Sequence, residues 1–278
     1  MTDQIVHLAA IQMRSSTDMA ANLAQVETLV ANAVAAGAQL IVLPENFASF
    51  GRKDIAAIAA AEVEASGPLR RFMSGLAQRH AVHLVGGTIP VASQQPPLAY
   101  AACFFYDDQG REIGRYNKIH LFDADVTDAQ ARYRESDTFL HGEHVSVVET
   151  RLGRIGLAVC YDLRFPELFQ QLVDAGAQVI ALPAAFTYVT GQKHWEVLLR
   201  ARAIEQQVYL VAANQVGQHD GHRHTWGHSL IIDADGAVLA DAGEDEGFVS
   251  GSVDRQQLEH LRRTMPVQQH KRLIPRAF

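Results

Sequence analysis

Cysteine is scarce in this chain, which has only Cys103 and Cys160 among its 278 residues. Two cysteines give no disulfide framework, so a disulfide-stabilised secreted domain is excluded and a reducing compartment, the cytoplasm, is favoured. A compact chain of this length buries about three quarters of its unfolded surface and needs no disulfides for stability. We therefore expect one cytoplasmic domain that covers residues 1–278.

Basic residues and long apolar runs are also in short supply. The 24 Lys and Arg against 31 Asp and Glu give a formal net charge of -7, which argues against nucleic acid or an anionic membrane as a partner. The first residues, MTDQIVHLAAIQM, have no basic segment and no long apolar span, so we expect neither a signal peptide nor a membrane anchor there.

Strand and helix patterns alternate along the chain. Apolar or alternating segments predict strands at residues 6–13, 40–43, 82–89, 99–106, 112–116, 155–159, 179–182, 209–214, 226–232, 237–240 and 248–253. Helical periodicity predicts helices at residues 20–36, 69–80, 168–173 and 194–206, followed near the end by a short helix and a basic tail. No low-complexity linker divides the chain, so the pattern favours a single α/β domain.

One segment occurs twice in closely similar form. AGAQLIVLPENF at residues 36–47 matches AGAQVIALPAAF at residues 175–186 almost residue for residue, and each predicts a helix end, a buried strand and a proline turn. The repeat suggests two related βα halves that face each other. Glu45 in the first copy corresponds to Ala184 in the second, and a carboxylate at the end of a buried strand is costly unless it is paired or used. Glu45 is therefore a candidate functional residue.

Cys160 lies where an apolar strand gives way to a polar turn, in RIGLAVCYDLRFPEL at residues 154–168. A helix pattern follows, with Pro166 and Glu167 suited to its first turn. Backbone N–H groups at such a turn have no intrahelical partner, so they favour a thiolate and can bind an oxyanion. A buried inert cysteine is the alternative, and it is the interpretation we favour for Cys103, which lies among Ala, Phe and Tyr.

A cysteine nucleophile needs a base and a site that stabilises the developing oxyanion. Glu45 can be the base, and Lys118, just after the strand that ends at Tyr116, can supply positive charge. A strand-end Glu or Lys is more often solvated, but ligand sites in α/β folds gather where strands end. Three such residues, each at the end of an apolar strand, are together a stronger signal of a site for nucleophilic catalysis.

At these residues the sequence resembles the nitrilase, or carbon–nitrogen hydrolase, superfamily. The matching segments are LPENF with Glu45, YNKIHL with Lys118 and GLAVCYDLRFPEL with Cys160. The resemblance implies a four-layer α–β–β–α sandwich with no metal and no organic cofactor. It also implies that Cys160 is the nucleophile, Glu45 the general base and Lys118 the stabiliser of the tetrahedral intermediate. Members usually form dimers or larger assemblies, so the tail at about residues 264–278 is a candidate for contacts in a homo-oligomer.

A second glutamate often follows the lysine in this superfamily, where it orients the lysine or the substrate. Glu135, in YRESDTFLHGE, occupies that place, although a surface-loop carboxylate is an equally good interpretation. The superfamily usually has PGE at the end of this segment, whereas the chain has His141, Gly142 and Glu143. The missing proline loosens a turn without touching the chemistry.

Residues 190–205 and 221–236 look most like the deaminated glutathione amidase branch of the superfamily, except that Trp226 stands where that branch usually has Tyr. The resemblance places Arg164 and Thr190 on the 2-oxo-acid end of the substrate. An Arg can read a carboxylate with two hydrogen bonds, although an ion pair with Asp162 or Glu167 is the alternative. We also expect the N–H of Tyr161 to bind the oxyanion and His194 either to line the pocket or to cap the helix.

The predicted activity is hydrolysis of deaminated glutathione to 2-oxoglutarate and cysteinylglycine through a cysteine thioester. The alternatives are an ω-amidase that acts on 2-oxoglutaramate, another short-chain amidase, and a catalytically idle metabolite-binding scaffold. A papain-like hydrolase is excluded because no histidine lies in a matching context. The three histidines within residues 218–224 could suggest a metal site, but no cysteine or acid cluster completes it, so we expect a solvated loop.

Overall fold

The computed structural model describes residues 4–62 and 66–273 and contains two large β-sheets that pack face to face. The first sheet has the strand order β17-β1-β2-β3-β5-β4, with β6 paired to β5. Its strands are β1 Ile5–Gln12, β2 Leu40–Val42, β3 His83–Val85, β4 Ile89–Ala92, β5 Ala99–Tyr106, β6 Glu112–Asn117 and β17 Gly247–Asp254.

The second sheet has the order β16-β15-β12-β11-β10-β9. Its strands are β9 Ser146–Thr150, β10 Gly153–Leu157, β11 Val179–Ala184, β12 Tyr209–Asn214, β15 Leu230–Ile232 and β16 Val238–Asp241. Two small hairpins stand apart from the large sheets, and they pair β7 Asp123–Asp125 with β8 Arg132–Arg134 and β13 Val216–Gln218 with β14 His224–Trp226.

Helices cover the outer faces of both sheets. The helices are α1 Met19–Ala35, α2 Ile55–Ala61, α3 Pro68–His80, α4 Pro166–Asp174, α5 Tyr188–Gln206 and α6 Arg255–Thr264, with short 3-10 turns at Glu135–Asp137, Cys160–Arg164 and Val267–His270. Helices α1 and α3 pack on the first sheet, and α4 and α5 on the second. The predicted α–β–β–α sandwich is therefore confirmed.

Strand β1 shows how the sequence builds these layers. Its side chains alternate in direction, so that Leu8 and Ala10 join the core between the two sheets while Ala9 and Ile11 pack against α1 and α3. A strand with two buried faces reads as a continuous apolar run, as β1 does.

The repeated segment forms equivalent strands in the two sheets. Strand β2 lies between two parallel neighbours, β1 and β3, and β11 lies in the same way between β10 and β12. The turns after β2 and β11 carry Glu45 and Ala185. The two copies therefore present their turns from opposite sheets, in agreement with the predicted facing halves.

Three predicted elements were wrong by more than two residues. The single strand predicted at residues 82–89 is two strands, because the chain turns at Gly87, where φ is +53° and a Cβ would lie 2.2 Å from the Pro44 carbonyl oxygen. The strand predicted at residues 226–232 is interrupted at Gly227 and His228, both with positive φ, so Trp226 pairs with β13 instead of continuing into β15. Helix α5 begins at Tyr188, six residues before the predicted start at His194.

Gln215 joins the two sheets at the end of β12. Its side-chain Nε2 donates to Ser15 Oγ at 2.7 Å and to the Glu45 carbonyl oxygen at 3.0 Å, while its Oε1 accepts from the Ser15 N–H at 3.0 Å. A fully buried amide with these partners fixes the turn after β2 against the second sheet. Within the described residues, no helix is long and apolar enough to span a membrane.

Candidate active site

Cys160 begins a 3-10 turn, three residues after the end of β10. It is 7% exposed and has φ of +49°, a left-handed conformation that residues other than glycine rarely adopt. Such a conformation persists only when the surrounding structure imposes it, and it is typical of functional sites. The order of strand, turn and helix agrees with the sequence prediction, although β10 is Gly153–Leu157 and not residues 155–159.

The Lys118 ammonium group lies between two carboxylates. Its Nζ is 2.8 Å from Glu45 Oε1 and 2.9 and 2.8 Å from Glu135 Oε1 and Oε2. Lys118 is 2% exposed and Glu45 is 4% exposed, so these charges interact at low effective dielectric. Glu45, Lys118 and Glu135, three of the four predicted catalytic residues, are thus in direct contact.

The backbone on each side holds this arrangement in place. The turn after β2 has Asn46 at φ of +57°, and the Asn46 N–H donates to Thr88 Oγ1 at 2.9 Å. On the other side, the Lys118 N–H donates to the Ala101 carbonyl oxygen, and the Lys118 carbonyl oxygen accepts from the Gly142 N–H at 2.8 Å. Gly142 must be glycine, because a Cβ there would lie 2.1 Å from the Asn117 carbonyl oxygen.

Glu135 lies at the base of the β7–β8 hairpin. Its Oε2 accepts from the Phe122 N–H at 2.6 Å, and its own N–H donates to the Phe122 carbonyl oxygen at 3.3 Å. The carboxylate therefore points to Lys118 and closes the hairpin rather than lying on a solvated loop. Its catalytic role stays a prediction.

The pKa of the Cys160 thiol lies well above its ordinary value, although the N–H groups of the turn favour a thiolate. Burial is the main cause, and the nearby Glu45 charge adds to it, whereas the Lys118 charge and a hydrogen bond from the Ala185 N–H lower the pKa. Low-dielectric surroundings disfavour the charged form more than the turn's N–H groups favour it. Cys160 therefore rests as a thiol and needs a base to ionise it.

Burial and charge act in opposite directions on Lys118. Burial lowers the pKa of its ammonium group, but the charges of Glu135 and Glu45 outweigh that effect and hold the pKa well above its usual value. One cation cannot neutralise two carboxylates, and burial together with the Glu45 charge raises the pKa of Glu135 despite the opposing effect of Lys118. The two carboxylates therefore favour the charged form of Lys118.

A narrow cavity opens at Cys160. Its wall contains three of the four residues predicted to bind substrate, together with aromatic and small side chains: Phe122, Cys160, Tyr161, Arg164, Ala185, Phe186, Thr187 and Thr190. The Thr187 and Thr190 hydroxyls are hydrogen-bonded to each other at 2.8 Å. The arrangement suits a substrate with an apolar chain and a few polar ends.

Arg164 has no acidic partner within residues 4–62 and 66–273. Its guanidinium lies over the Phe186 ring at 5.3 Å, and its Nη1 is 3.3 Å from His194 Nδ1. The alternative of an ion pair with Asp162 or Glu167 does not occur, because Asp162 accepts its hydrogen bonds from other groups. Arg164 is therefore available for a substrate carboxylate.

His194 lies outside the cavity wall, exposed on α5 against Arg164. Partial burial and the charge of Arg164 lower the pKa of its imidazole. His194 also does not cap α5, which starts six residues earlier with Thr187 as its N-cap residue. The place of His194 beside Arg164 thus differs from both predicted positions, which were in the pocket wall and at the cap of the helix.

The prediction of a solvated histidine loop was wrong for His219. This residue is buried, its two ring nitrogens lie 2.7 Å from the Ser15 carbonyl oxygen and from Thr225 Oγ1, and its ring stacks on Phe50. Burial lowers the pKa of His219 to about 4. No cluster of His, Cys, Asp or Glu in the described part of the chain could hold a metal ion.

The sequence reasoning missed Asp162, a fully buried carboxylate two residues after Cys160. The rule that singled out Glu45, that a buried acid must be paired or used, applied equally to Asp162. It also missed Phe122 and Phe186, which carry no chemical signature in the sequence. Cys103 is fully buried in the core, as expected, and burial raises the pKa of its thiol.

Comparison with known proteins gives a consistent result. A family model described as carbon–nitrogen hydrolase matches residues 7–263. A deaminated glutathione amidase of Yersinia enterocolitica is 42% identical over 269 residues, covering 96% of this chain and 93% of that protein. An omega-amidase of Homo sapiens is 34% identical, covering 95% of this chain and 94% of that protein.

The solved structures include a close match in fold. The crystal structure of Nit3 from Saccharomyces cerevisiae, a member of branch 10 of the nitrilase superfamily, has a TM-score of 0.87 and 31% sequence identity. The match covers 98% of each chain, so it includes both sheets and the segments that carry the site.

Replacement of Glu45 by Gln is expected to make Cys160 easier to ionise and yet to lower kcat by about 10² to 10⁴-fold. The Glu45 charge raises the pKa of Cys160, so its removal lowers that pKa and moves thiolate formation to lower pH. The measurement is the rate of Cys160 alkylation by iodoacetamide against pH, beside the turnover rate. The exposed Glu167→Gln is the matched control and should change neither quantity. A Glu45→Gln midpoint that is unchanged or higher would contradict this account of the site.

Proposed function

Because the chain belongs to the carbon–nitrogen hydrolase family, we propose that it is an amidase that works through a thioester on Cys160. The observation that carries the proposal is the buried contact of Lys118 with Glu45 and Glu135 beside the Cys160 cavity. A thiol, a carboxylate base that can take its proton and a fixed cation for the oxyanion are the groups that nucleophilic amide hydrolysis requires.

In the acylation step, the Glu45 carboxylate takes the proton of the Cys160 thiol as the sulfur attacks the amide carbonyl carbon. The carbonyl oxygen becomes an oxyanion, which Lys118 and the Tyr161 N–H stabilise. The carbon–nitrogen bond then breaks, and the leaving amine receives the proton from Glu45. The products of this step are the free amine and a thioester on Cys160.

In the deacylation step, Glu45 removes a proton from a water molecule that attacks the thioester carbonyl. The same cation and backbone N–H stabilise the second oxyanion, and collapse of this intermediate breaks the carbon–sulfur bond. The proton held by Glu45 returns to the Cys160 sulfur, which restores the thiol and the carboxylate. Glu135 keeps Lys118 in position through its two hydrogen bonds.

The proposed substrate is deaminated glutathione, which this reaction would split into 2-oxoglutarate and cysteinylglycine. Two observations support it: the 42% identity with the Yersinia enterocolitica enzyme, and an Arg164 without an acidic partner in the cavity wall. Arg164 would bind the carboxylate of the 2-oxo-acid end, with the Thr190 hydroxyl beside it.

An ω-amidase that acts on 2-oxoglutaramate is the second candidate. The 34% identity with the human omega-amidase favours it, and its substrate offers Arg164 the same 2-oxo-acid end. The ratio of kcat/KM for the two amides, with ammonia and amine release measured separately, distinguishes the candidates. An idle scaffold fits poorly, because a binding site has no need of a buried cation between two carboxylates.

We propose a cytoplasmic location, since both cysteines of the chain, Cys103 and Cys160, are free thiols, as is usual in a reducing compartment. Cell fractionation with activity assays would check this location.

We also propose a homodimer formed through the outer face of α5. Val197 and Ile204 of that helix are 67% and 47% exposed, and Val238 and Leu239 of β16 are 38% and 43% exposed nearby. Contact with a second copy would remove this apolar surface from water. Of the tail predicted to make such contacts, residues 274–278 lie outside the described residues.

Val197→Glu is expected to reduce the assembly to monomers, because a charge would be buried at the centre of the contact. Sedimentation velocity measures the outcome, with Ile113→Glu on β6 as a control that keeps the dimer. A wild-type chain that sediments as a monomer would exclude the proposed assembly.

Replacement of Cys160 by Ala is expected to lower kcat by more than about 10⁴-fold while the fold stays intact, because no other group can form the acyl intermediate. Mass spectrometry of acid-quenched wild-type enzyme should show the mass of the acyl group on the Cys160 peptide. Cys103→Ala, which removes the other buried thiol, should retain both turnover and the adduct. Substantial turnover by Cys160→Ala would exclude the thioester mechanism.

Replacement of Arg164 by Ala is expected to lower kcat/KM for 2-oxo-acid amides by about 10- to 100-fold, the value of a charged hydrogen-bonding pair. Short uncharged amides should be affected far less, because they offer the guanidinium nothing to bind. Arg200→Ala, which removes an exposed arginine paired with Glu196 on the same helix, is the matched control. Equal losses on charged and uncharged amides would rule out the carboxylate-binding role.

A further inference from the structure

We propose that Asp162 is a positioning residue that fixes Cys160 relative to Lys118 across the two sheets. The proposal rests on the assignment of Cys160 as the nucleophile. It adds a buried carboxylate that takes no part in proton transfer and acts only through the residues that it holds.

The Asp162 side chain is 0% exposed and has four close polar partners. Its Oδ2 accepts from the Tyr116 hydroxyl at 2.7 Å and from the Val159 N–H at 2.8 Å. Its Oδ1 accepts from the His120 N–H at 3.1 Å and lies 2.7 Å from His120 Nδ1. Both oxygens of the carboxylate are thus fully used.

These partners flank the two reactive residues in the sequence. Tyr116 and His120 stand two residues before and two residues after Lys118, while Val159 immediately precedes Cys160. Because Tyr116 lies in the first sheet's β6 and Val159 follows the second sheet's β10, one carboxylate ties the two halves of the site together. Without the Asp162 carboxylate, the distance between the Cys160 sulfur and the Lys118 ammonium group would no longer be restrained.

Two further contacts strengthen the same connection. The Tyr116 hydroxyl also accepts from the Ile119 N–H at 3.2 Å, so it holds the residue that directly follows Lys118. The His120 ring stacks on the Phe165 ring, with 3.7 Å between ring centres and an interplanar angle of 5°. Phe165 directly follows the 3-10 turn Cys160–Arg164. The Lys118 and Cys160 segments therefore meet through a ring stack as well as through Asp162.

The left-handed conformation of Cys160 explains why such a connection is needed. A residue with φ of +49° tends to relax unless its neighbours are restrained. Asp162 accepts a hydrogen bond from the N–H of Val159, the residue before Cys160, and Asp162 itself follows Cys160 by two residues in the chain. A carboxylate suits this role better than an amide, since an amide would turn an NH₂ group toward one pair of these donors.

Asp162→Asn is expected to lower kcat by about 100-fold with KM changed by less than about threefold, because a small displacement of the nucleophile affects the transition state more than substrate binding. The midpoint of the pH profile for Cys160 alkylation by iodoacetamide should move to lower pH, because a thiol that leaves its buried place beside Glu45 loses the two effects that raise its pKa. A purely structural role would lower the melting temperature without moving this midpoint.

Asp107→Asn is the matched control, because Asp107 is also a buried carboxylate and accepts from the Gln109 and Arg111 N–H groups in the β5–β6 turn. It should lower the melting temperature and leave kcat and the alkylation midpoint as in the wild type. If Asp162→Asn does not fold, Tyr116→Phe carries the test, since it removes one hydroxyl donor and keeps the ring. It should lower kcat by about 10-fold and shift the midpoint in the same direction.

A folded Asp162→Asn or Tyr116→Phe variant with wild-type kcat and an unmoved alkylation midpoint would overturn the proposal. The alkylation experiment uses no substrate, so an error in the substrate assignment leaves it valid. Failure of the proposed function itself would instead appear as an active Cys160→Ala variant.

Discussion

The site depends on one buried cation that two carboxylates share. Lys118 satisfies both Glu45 and Glu135, and neither acid has a second buried cation to replace it within the described residues. The charges of the two acids hold the Lys118 pKa well above its usual value. Burial, together with the Glu45 charge, raises the pKa of the Cys160 thiol. Burial and charge together therefore favour a charged Lys118 beside a neutral thiol.

The sandwich makes this balance possible because each sheet contributes to the site. The first sheet carries Glu45 after β2 and Lys118 after β6, while the second carries Cys160 after β10. Hydrogen bonds of buried side chains join the sheets at this place, through Gln215 on one side and Asp162 on the other. These directional bonds add to the packed core in fixing how the two sheets lie against each other at the site.

Local patterns in the sequence predicted the parts of the site that depend on local structure. The apolar run, turn and helix around Cys160 and the strand before Glu45 follow from residues within a few positions of each other. Contacts between distant segments were not predictable in this way: the turn at Gly87 depends on the approach of Pro44, and the Asp162 contacts join segments more than 40 residues apart. The pKa of Cys160 was not predictable for the same reason, since burial by the whole fold outweighs the N–H groups of one turn.

The repeated segment uses the same strand and turn for two different purposes. At the end of β2 the acting group is the side chain of Glu45, whereas at the end of β11 it is the backbone N–H of Ala185, which donates to the Cys160 sulfur. A backbone donor is present whatever side chain the residue carries, within the limit of space in the cavity wall. The first turn is thus constrained in residue identity and the second only in shape. Selection on a duplicated unit can in this way keep one copy chemically fixed while the other accumulates changes.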